Sequence, residues 1–240
     1  APRISAKNDI NIDQVLEAQL KLGFFPDTIR LYYPQRSAEN LLGKTCDSPE
    51  ELARDIWDGE YCLSYSADGR RLLDAENFPS EVTVREGCEV VCDEVFAFQD
   101  YMAERRIGEN IPLEERSSYL EKIRLPNSVT HIGDRAFSEC GELLGIKLPS
   151  GLLKIGEAAF VDCWQLEKIS LPAKTRILGP QAFQGCINLY QVRLDKALEV
   201  IGEDAFDDCE SLETIFIPQG TLAHFMRLLP KGLHKLLEEL

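Results

Sequence analysis

Four phenylalanines, Phe137, Phe160, Phe183 and Phe206, stand 23 residues apart at every step. Three more columns keep that step: Cys140, Cys163, Cys186 and Cys209; Gly133, Gly156, Gly179 and Gly202; and Ala136, Ala159, Ala182 and Ala205. Leu120, Leu143, Leu166, Leu189 and Leu212 open five successive units. A unit this short has no second layer against which to bury its own apolar residues. It is stable only when stacked on neighbours of the same kind, so the repeat already implies a one-dimensional array.

Each column has a physical reading. Leu120, Ile123 and Leu125 form an L-x-x-I-x-L pattern, and alternation turns Ile123 and Leu125 to the same, inner side of a short strand. Strands are expected to centre on residues 123, 146, 169, 192 and 215, and on 83, in one continuous parallel sheet. Pro126, Pro149, Pro172 and Pro218 end these strands, because proline has no N–H to offer a ladder. Val129 and Leu152 bring the chain back inward, with Thr175 in that column of the third unit. The glycine column permits a turn with positive φ. Asp134, Glu157 and Glu203, replaced once by Pro180, suit the first turn of a short helical segment. Alanine lets backbones approach, phenylalanine fills the interior, and cysteine serves as a small buried residue. One strand and one short helical turn in 23 residues lie within the range of about 20–29 residues for leucine-rich repeats. The fold class expected is α/β: a right-handed leucine-rich-repeat solenoid with a parallel sheet and short helical turns.

The string I-G-x-x-A-F-x-x-C-x-x-L, followed by a strand and proline, resembles the BspA-type leucine-rich repeat, a bacterial family common in Bacteroidetes. The resemblance runs from Leu120 to about Pro218. It is weaker over Glu81–Phe98, where Val82, Val84, Cys88, Val91 and Phe96 fall in register, with Cys92 in the glycine column and Val95 in the alanine column. Phe96 and Phe137 are 41 residues apart, 18 more than one period, which places an insertion near Gln99–Ser117. Its apolar members are Tyr101, Met102, Ile107, Ile111 and Leu113, and either a binding element or a surface loop fits them. The resemblance implies cell-surface or secreted proteins that bind host or bacterial proteins.

The flanks read as caps on the solenoid at 81–220. Residues 1–80 form an α+β region without repeats: a helix after Asp13 up to Gly23, a strand over Thr28–Tyr33, and a helix opened by Ser48-Pro49-Glu50-Glu51 that carries Leu52 and Ile56 and ends near Gly59. A hairpin follows, with Tyr61–Ser66 and Arg70–Leu73 flanking Asp68-Gly69. At the other end, residues 221–240 are expected to be helical. Thr221 caps a helix to Leu229, and Pro230 opens a second one with Leu233, Leu236, Leu237 and Leu240 on its apolar face.

The eight cysteines bear on compartment. The ladder cysteines sit one above another on parallel turns with parallel Cβ vectors near 5 Å apart, longer than the roughly 3.8 Å a disulfide favours, so buried free thiols are expected. Convergent tetrahedral metal ligation does not suit them either. A bridge between Cys46 and Cys62 is left open. The first residues, Ala1-Pro2-Arg3, show no signal-peptide apolar stretch. The resemblance favours an extracellular or cell-surface location, and the free-thiol ladder is equally compatible with the cytoplasm.

Charge supplies the candidate site. The net charge is −15, which disfavours nucleic acid as a partner, and no apolar run is long enough to span a membrane. Residues 1–119 carry 24 acidic and 13 basic side chains, residues 120–240 carry 17 and 13. With Ile123 and Leu125 inward, the outward strand positions are Lys122, Gly145, Lys168, Gln191 and Thr214 in one column, and Arg124, Lys147, Ser170, Arg193 and Phe216 in the other. Five of these ten are basic and none is acidic, whereas the acids of the repeats fall on the turn side. Lys122, Arg124, Lys147, Lys168 and Arg193, with Phe216 as an apolar anchor, form the candidate binding face for a protein or other anionic macromolecule. Solvated lysines that keep an exposed sheet soluble explain the same pattern.

His131, His224 and His234 are far apart in sequence, and no metal, nucleotide or nucleophile-elbow motif appears. No catalytic residue, metal ligand or cofactor is assigned. The leading reading is a non-enzymatic binding module presenting a rigid surface, with adhesion or host interaction as its setting. Two others stand beside it: an enzyme with its site in residues 1–80 or at their junction with the first repeat, and a purely structural or assembly protein.

Overall fold

The computed structural model describes residues 55–75, 78–97 and 119–240, together with two short strands, β1 (Ile4–Ser5) and β2 (Leu31–Tyr32), which pair in parallel. The expected helix after Asp13, the start of the one after Ser48, the insertion near 99–117, and Cys46 lie outside the described residues. Where the second of those helices was expected to end, Ile56–Asp58 is instead a strand, β3. It pairs antiparallel with β4 (Leu63–Tyr65), and β4 with β5 (Arg71–Ala75), around the Asp68-Gly69 turn. Gly69 takes φ +71°, the left-handed conformation that glycine adopts without a Cβ clash.

The complete repeat units contribute two strands where the pattern had suggested one, except the unit opened by Leu143, which contributes one. The first sheet holds the expected strands: β6 (Glu81–Thr83), β8 (Lys122–Arg124), β11 (Lys168–Ser170), β13 (Gln191–Arg193) and β15 (Thr214–Ile217). The second is made of two-residue rungs: β7 (Val90–Val91), β9 (His131–Ile132), β10 (Lys154–Ile155), β12 (Ile177–Leu178) and β14 (Val200–Ile201). These rungs pair in parallel, residue for residue one period apart after β9, and β7 continues through β5 into the N-terminal hairpin. The hairpin therefore closes the N-terminal end of the stack by extending its second sheet.

The first sheet is not continuous. It divides into β6-β8 and a four-stranded piece, and no strand forms around Ile146. Leu144–Leu148 donates no backbone hydrogen bond to either neighbouring turn, although the equivalent Glu121, Tyr190 and Glu213 amides all do. The cause is local: Gly145 occupies a position held elsewhere by lysine, glutamine or threonine, and glycine loses the most conformational entropy on joining a strand.

Phe96, Phe137, Phe160, Phe183 and Phe206 form one column of near-parallel rings with centroids 5.2, 5.0, 5.2 and 5.8 Å apart. All five are buried, and Phe78 closes the N-terminal end edge-on. Burying a large apolar side chain contributes about 1.5–3 kcal/mol, so this column and the aliphatic columns beside it hold the array together. Thr175, the polar member of the inner column, is buried without cost in hydrogen bonding because its hydroxyl donates to Leu152 O at 3.1 Å. The cysteines do more than fill space. Each thiol donates to the phenylalanine carbonyl of the preceding turn: Cys140 to Phe96 O at 3.3 Å, Cys163 to Phe137 O and Cys186 to Phe160 O at 3.2 Å, and Cys209 to Phe183 O at 3.1 Å. Among the described residues, Cys62, Cys88, Cys92 and the four ladder cysteines form no disulfide. Burial pushes the Cys163 and Cys186 thiols well above their usual range, which keeps them protonated and unreactive.

Two expectations about the turn are overturned. The ladder glycines do not take positive φ; the left-handed residues are Glu94, Arg135, Ala158, Gln181 and Asp204, and a second set at Glu139, Asp162, Gly185 and Asp208. Glycine is required for close approach instead. A Cβ on Gly156 would lie 2.5 Å from Gly133 C, and one on Gly179 would overlap the Gly156 backbone. Nor is the segment helical: it is a run of turns whose amides donate to the next unit, as Arg135, Phe137 and Glu139 do to Glu157, Ala159 and Val161 carbonyls at 2.8 Å each. Of the acids expected to open a helix, Asp134 instead clamps the adjacent unit, as Asp93 does one turn earlier. Asp93 Oδ1 accepts from Asp134 N and Asp134 Oδ1 from Glu157 N, both at 2.8 Å. Pro180, lacking an N–H, cannot donate to the next such clamp. Burial, reinforced by the neighbouring Asp134 carboxylate, pushes the Asp93 carboxyl up to about 8.

The C-terminal cap is half as helical as expected. Helix α1 (Leu222–Leu228) buries Phe225, and a 3-10 turn covers Lys231–Leu236. The chain then turns to strand β16 (Leu237–Glu239), which pairs with β15 and closes the first sheet. Leu233, Leu236 and Leu237 pack on the core, whereas Leu240 is exposed. Thr221 does not cap the helix; its hydroxyl donates to Pro218 O at 2.5 Å, and the Glu239 carboxylate takes the Gly220 and Leu222 amides at 3.0 and 3.1 Å. A carboxylate there also suits the positive end of the helix dipole.

Candidate functional site

The outward positions of the first sheet are set by its alternation. The burial pattern of β8 and β11 is exposed, buried, exposed, and Ile123, Ile169, Val192 and Ile215 supply the inward side chains. Lys168, Gln191 and Thr214 are register partners on adjacent strands, as are Ser170, Arg193 and Phe216. Lys122, Arg124, Lys147, Lys168 and Arg193 are all exposed, and Phe216 is half-buried. Parallel strands about 4.8 Å apart would bring Lys168 and Arg193 close together. The break at Gly145–Lys147 sets these two apart from Lys122 and Arg124, with Lys147 on the irregular rung between them.

The flanking strands modify the charge read from the repeats alone. β6 puts Glu81 in register with Lys122, and the two form an ion pair at 2.6 Å. That pairing raises the Lys122 ammonium and lowers the Glu81 carboxyl, through their hydrogen bond first and their charges second. At the other end β16 sets Glu238 beside Phe216. The face is thus acid-capped at both ends and basic in the middle. Among the described residues Arg124, Lys147, Lys168 and Arg193 make no ion pair, and they are the available cations.

One contributor escaped the sequence reading. Tyr190 stands just before β13, and Lys168 Nζ sits 4.9 Å from its ring centroid. Hydrogen bonding to Tyr190, then its charge interaction, raises the Lys168 ammonium. The contact orients a lysine that would otherwise sample many rotamers. The signal was present in the repeat: the column Glu121, Leu144, Glu167, Tyr190 and Glu213 lies one residue outside the two columns read, and it also holds Leu144, 55% exposed. The same column carries three exposed glutamates, so the acids are not confined to the turn side as expected.

The histidines serve the framework. His224 Nε2 is 2.8 Å from Leu198 O and His234 Nε2 is 3.0 Å from Leu229 O, so both tie the C-terminal cap together. His131 lies on β9 with Nδ1 2.9 Å from the Thr130 hydroxyl. Among the described residues no three His, Cys, Asp or Glu side chains converge as metal ligands. No described helix is long and apolar enough to cross a membrane.

Comparison with known proteins bears on family. A family described as the BspA-type leucine-rich repeat region matches residues 115–225 in six copies. A domain of unknown function carrying an E. rectale gene description matches residues 7–69, where the sequence had suggested no family. No curated protein matches the chain. Among solved structures, a leucine-rich cell surface protein from Faecalibacterium prausnitzii superposes with TM-score 0.58 and 23% identity, covering 73% of this chain and 42% of its own. A leucine-rich repeat protein from Eubacterium ventriosum gives TM-score 0.53 and 22% identity, covering 70% and 40%. The pneumococcal vaccine antigen PcpA gives 0.50 and 18%, covering 65% and 35%. The chain thus spans about two fifths or less of the length of these structures, and at these identities the likeness is one of fold. The two-sheeted stack, its phenylalanine and cysteine columns and the family match agree over the same stretch: residues 115–225 form a BspA-type leucine-rich repeat region.

Proposed function

We propose that this chain is a non-enzymatic binding module that acts at the cell surface or outside the cell and docks an acidic protein surface on its first sheet. The observation that carries the reading is the set of exposed cations without ion-pair partners among the described residues, Arg124, Lys147, Lys168 and Arg193, held on one face of a chain whose net charge is −15. A positive strip on an otherwise acidic molecule steers an anionic partner and orients it. The strip rests on a packed array, so little conformational entropy is lost on docking. Tyr190 and Phe216 border it and supply the aromatic contacts that dominate interface energies. The cell-surface description of the Faecalibacterium structure supports the location.

The test is binding to immobilised poly-L-glutamate, a minimal acidic polypeptide. Affinity falls as salt rises, because exposed charges are screened over about 8–10 Å at physiological ionic strength. Reversal of two adjacent cations, Lys168→Glu with Arg193→Glu, abolishes the salt-sensitive binding while the melting temperature holds. Lys122→Glu has the smaller effect, since Glu81 already engages that ammonium. Unchanged affinity and salt dependence in the double variant would reduce the face to solvated surface.

A further inference from the structure

The turn ladder has an open end. In each complete junction three amides of one unit donate to three carbonyls of the next: Ala158, Phe160 and Asp162 to Pro180, Ala182 and Gln184, then Gln181, Phe183 and Gly185 to Glu203, Ala205 and Asp207, all at 2.8–3.0 Å. The equivalent amides of the last unit belong to Asp204, Phe206 and Asp208, and among the described residues no carbonyl accepts from them. The C-terminal cap continues the first sheet through β16 but does not continue this ladder. Its segment Leu228–Leu233 packs on the core through Leu228, Leu229 and Leu233, and beside them a cleft of about 540 Å³ lies between this segment and Ile201–Asp207. Phe206, the last ring of the aromatic stack, lines that cleft.

We infer that this cleft binds a basic, turn-forming peptide segment of a partner protein, which pairs its main chain with the Asp204, Phe206 and Asp208 amides as one more turn of the solenoid. The donors dictate the backbone: carbonyls at i, i+2 and i+4, as at Pro180, Ala182 and Gln184. The turn shape requires left-handed residues after the first and third carbonyls, the places that Gln181 and Gly185 fill within the chain. Phe206 itself is buried, so the segment is held there by main-chain bonds and not by ring stacking. The rim sets the charge. Glu203, Asp204, Asp207 and Asp208 are all exposed around the donors, so a cationic segment is favoured and an acidic one repelled. This pairing of an exposed ladder edge with an added segment follows the logic of strand addition, in which main-chain bonds hold the segment and side chains select it. A second copy of this chain is a poor occupant, because Phe78 packs edge-on against Phe96 at the matching end of its own stack.

The probe comes from the chain itself. A fluorescent peptide covering residues 174–190 has the carbonyl and left-handed positions of one turn, two cations (Lys174 and Arg176) and no acid. A peptide of equal length covering residues 197–213 has the same turn but seven acids against no cation. Anisotropy titrations with the full chain should show saturable binding of the first peptide and at least about tenfold weaker binding of the second. Glu203→Lys with Asp207→Lys, both at exposed positions outside the left-handed set, should reverse that preference. Amide exchange on the complex should show new protection at Asp204, Phe206 and Asp208. Absence of saturable binding, equal affinity for the two peptides, or protection confined to other residues would each overturn the inference. Because these amides lie outside the basic face, Lys168→Glu with Arg193→Glu should leave binding of the 174–190 peptide intact, so this inference and the proposed function can fail separately.

Discussion

The two sheets of the solenoid come from the same repeat, yet the second runs unbroken from the hairpin to Val200–Ile201 while the first parts at Gly145–Lys147. The difference lies in what holds each rung. A rung of the second sheet runs directly into the ladder glycine, the left-handed turn, the buried phenylalanine and the cysteine thiol, each bonded or packed to the adjacent unit. A rung of the first sheet has its inward side chains and its ladder bonds, and one glycine is enough to release those bonds. Continuity in this array is therefore enforced from the turn side, which leaves the strand face free to vary in charge and contour. That division suits a surface meant to bind: the side that varies is not the side that holds the stack together.

Three substitutions test this contrast, from the strongest effect to the weakest. Phe160→Ala removes a fully buried ring from the middle of the stack and should cost about 3–5 kcal/mol, read as a lower midpoint in urea unfolding. A midpoint equal to the parent's would mean that the turn side does not hold the array. Gly179→Ala introduces a Cβ into the backbone of Gly156 and should cost about 1–3 kcal/mol by forced overpacking. Because φ there is not positive, the same variant would be nearly neutral if torsional freedom were what the column needs; the size of the loss separates the two explanations. Gly145→Lys works on the broken rung. Its Cβ meets nothing within 4 Å, its φ is ordinary, and the change should stabilise by about 0.4–1 kcal/mol by restricting the unfolded chain. It should also raise affinity for poly-L-glutamate by adding a cation to the Lys122–Lys168 column. A destabilised Gly145→Lys protein would show that the gap in the first sheet is imposed by packing and not by glycine.

The inward positions were legible because a stacked array repeats every contact at one sequence interval. Phe137, Phe160, Phe183 and Phe206 touch because each is 23 residues from the next, and the Cys163, Cys186 and Cys209 thiols reach the preceding phenylalanine carbonyl at a constant interval of 26. The outward columns of the first sheet were legible for the same reason, and Tyr190 was missed only because its column lies one residue further out. The role of the ladder glycines was misread because a pattern that needs no side chain looks alike whether the cause is torsion or close approach. The second sheet stayed hidden because rungs of two residues are too short to show alternation.

What the sequence determined by itself was the stack: its period, its interior columns, its buried thiols and the basic residues on its strand face. What only the tertiary structure decided lies where the period stops. Glu81 neutralises Lys122, the hairpin extends the second sheet, β16 closes the first, and the amides of Asp204, Phe206 and Asp208 find no following turn among the described residues. Periodicity specifies what each unit does to the next, since both partners carry the same residues. It cannot specify what meets the first unit or the last, because those contacts join the array to segments that share none of its columns.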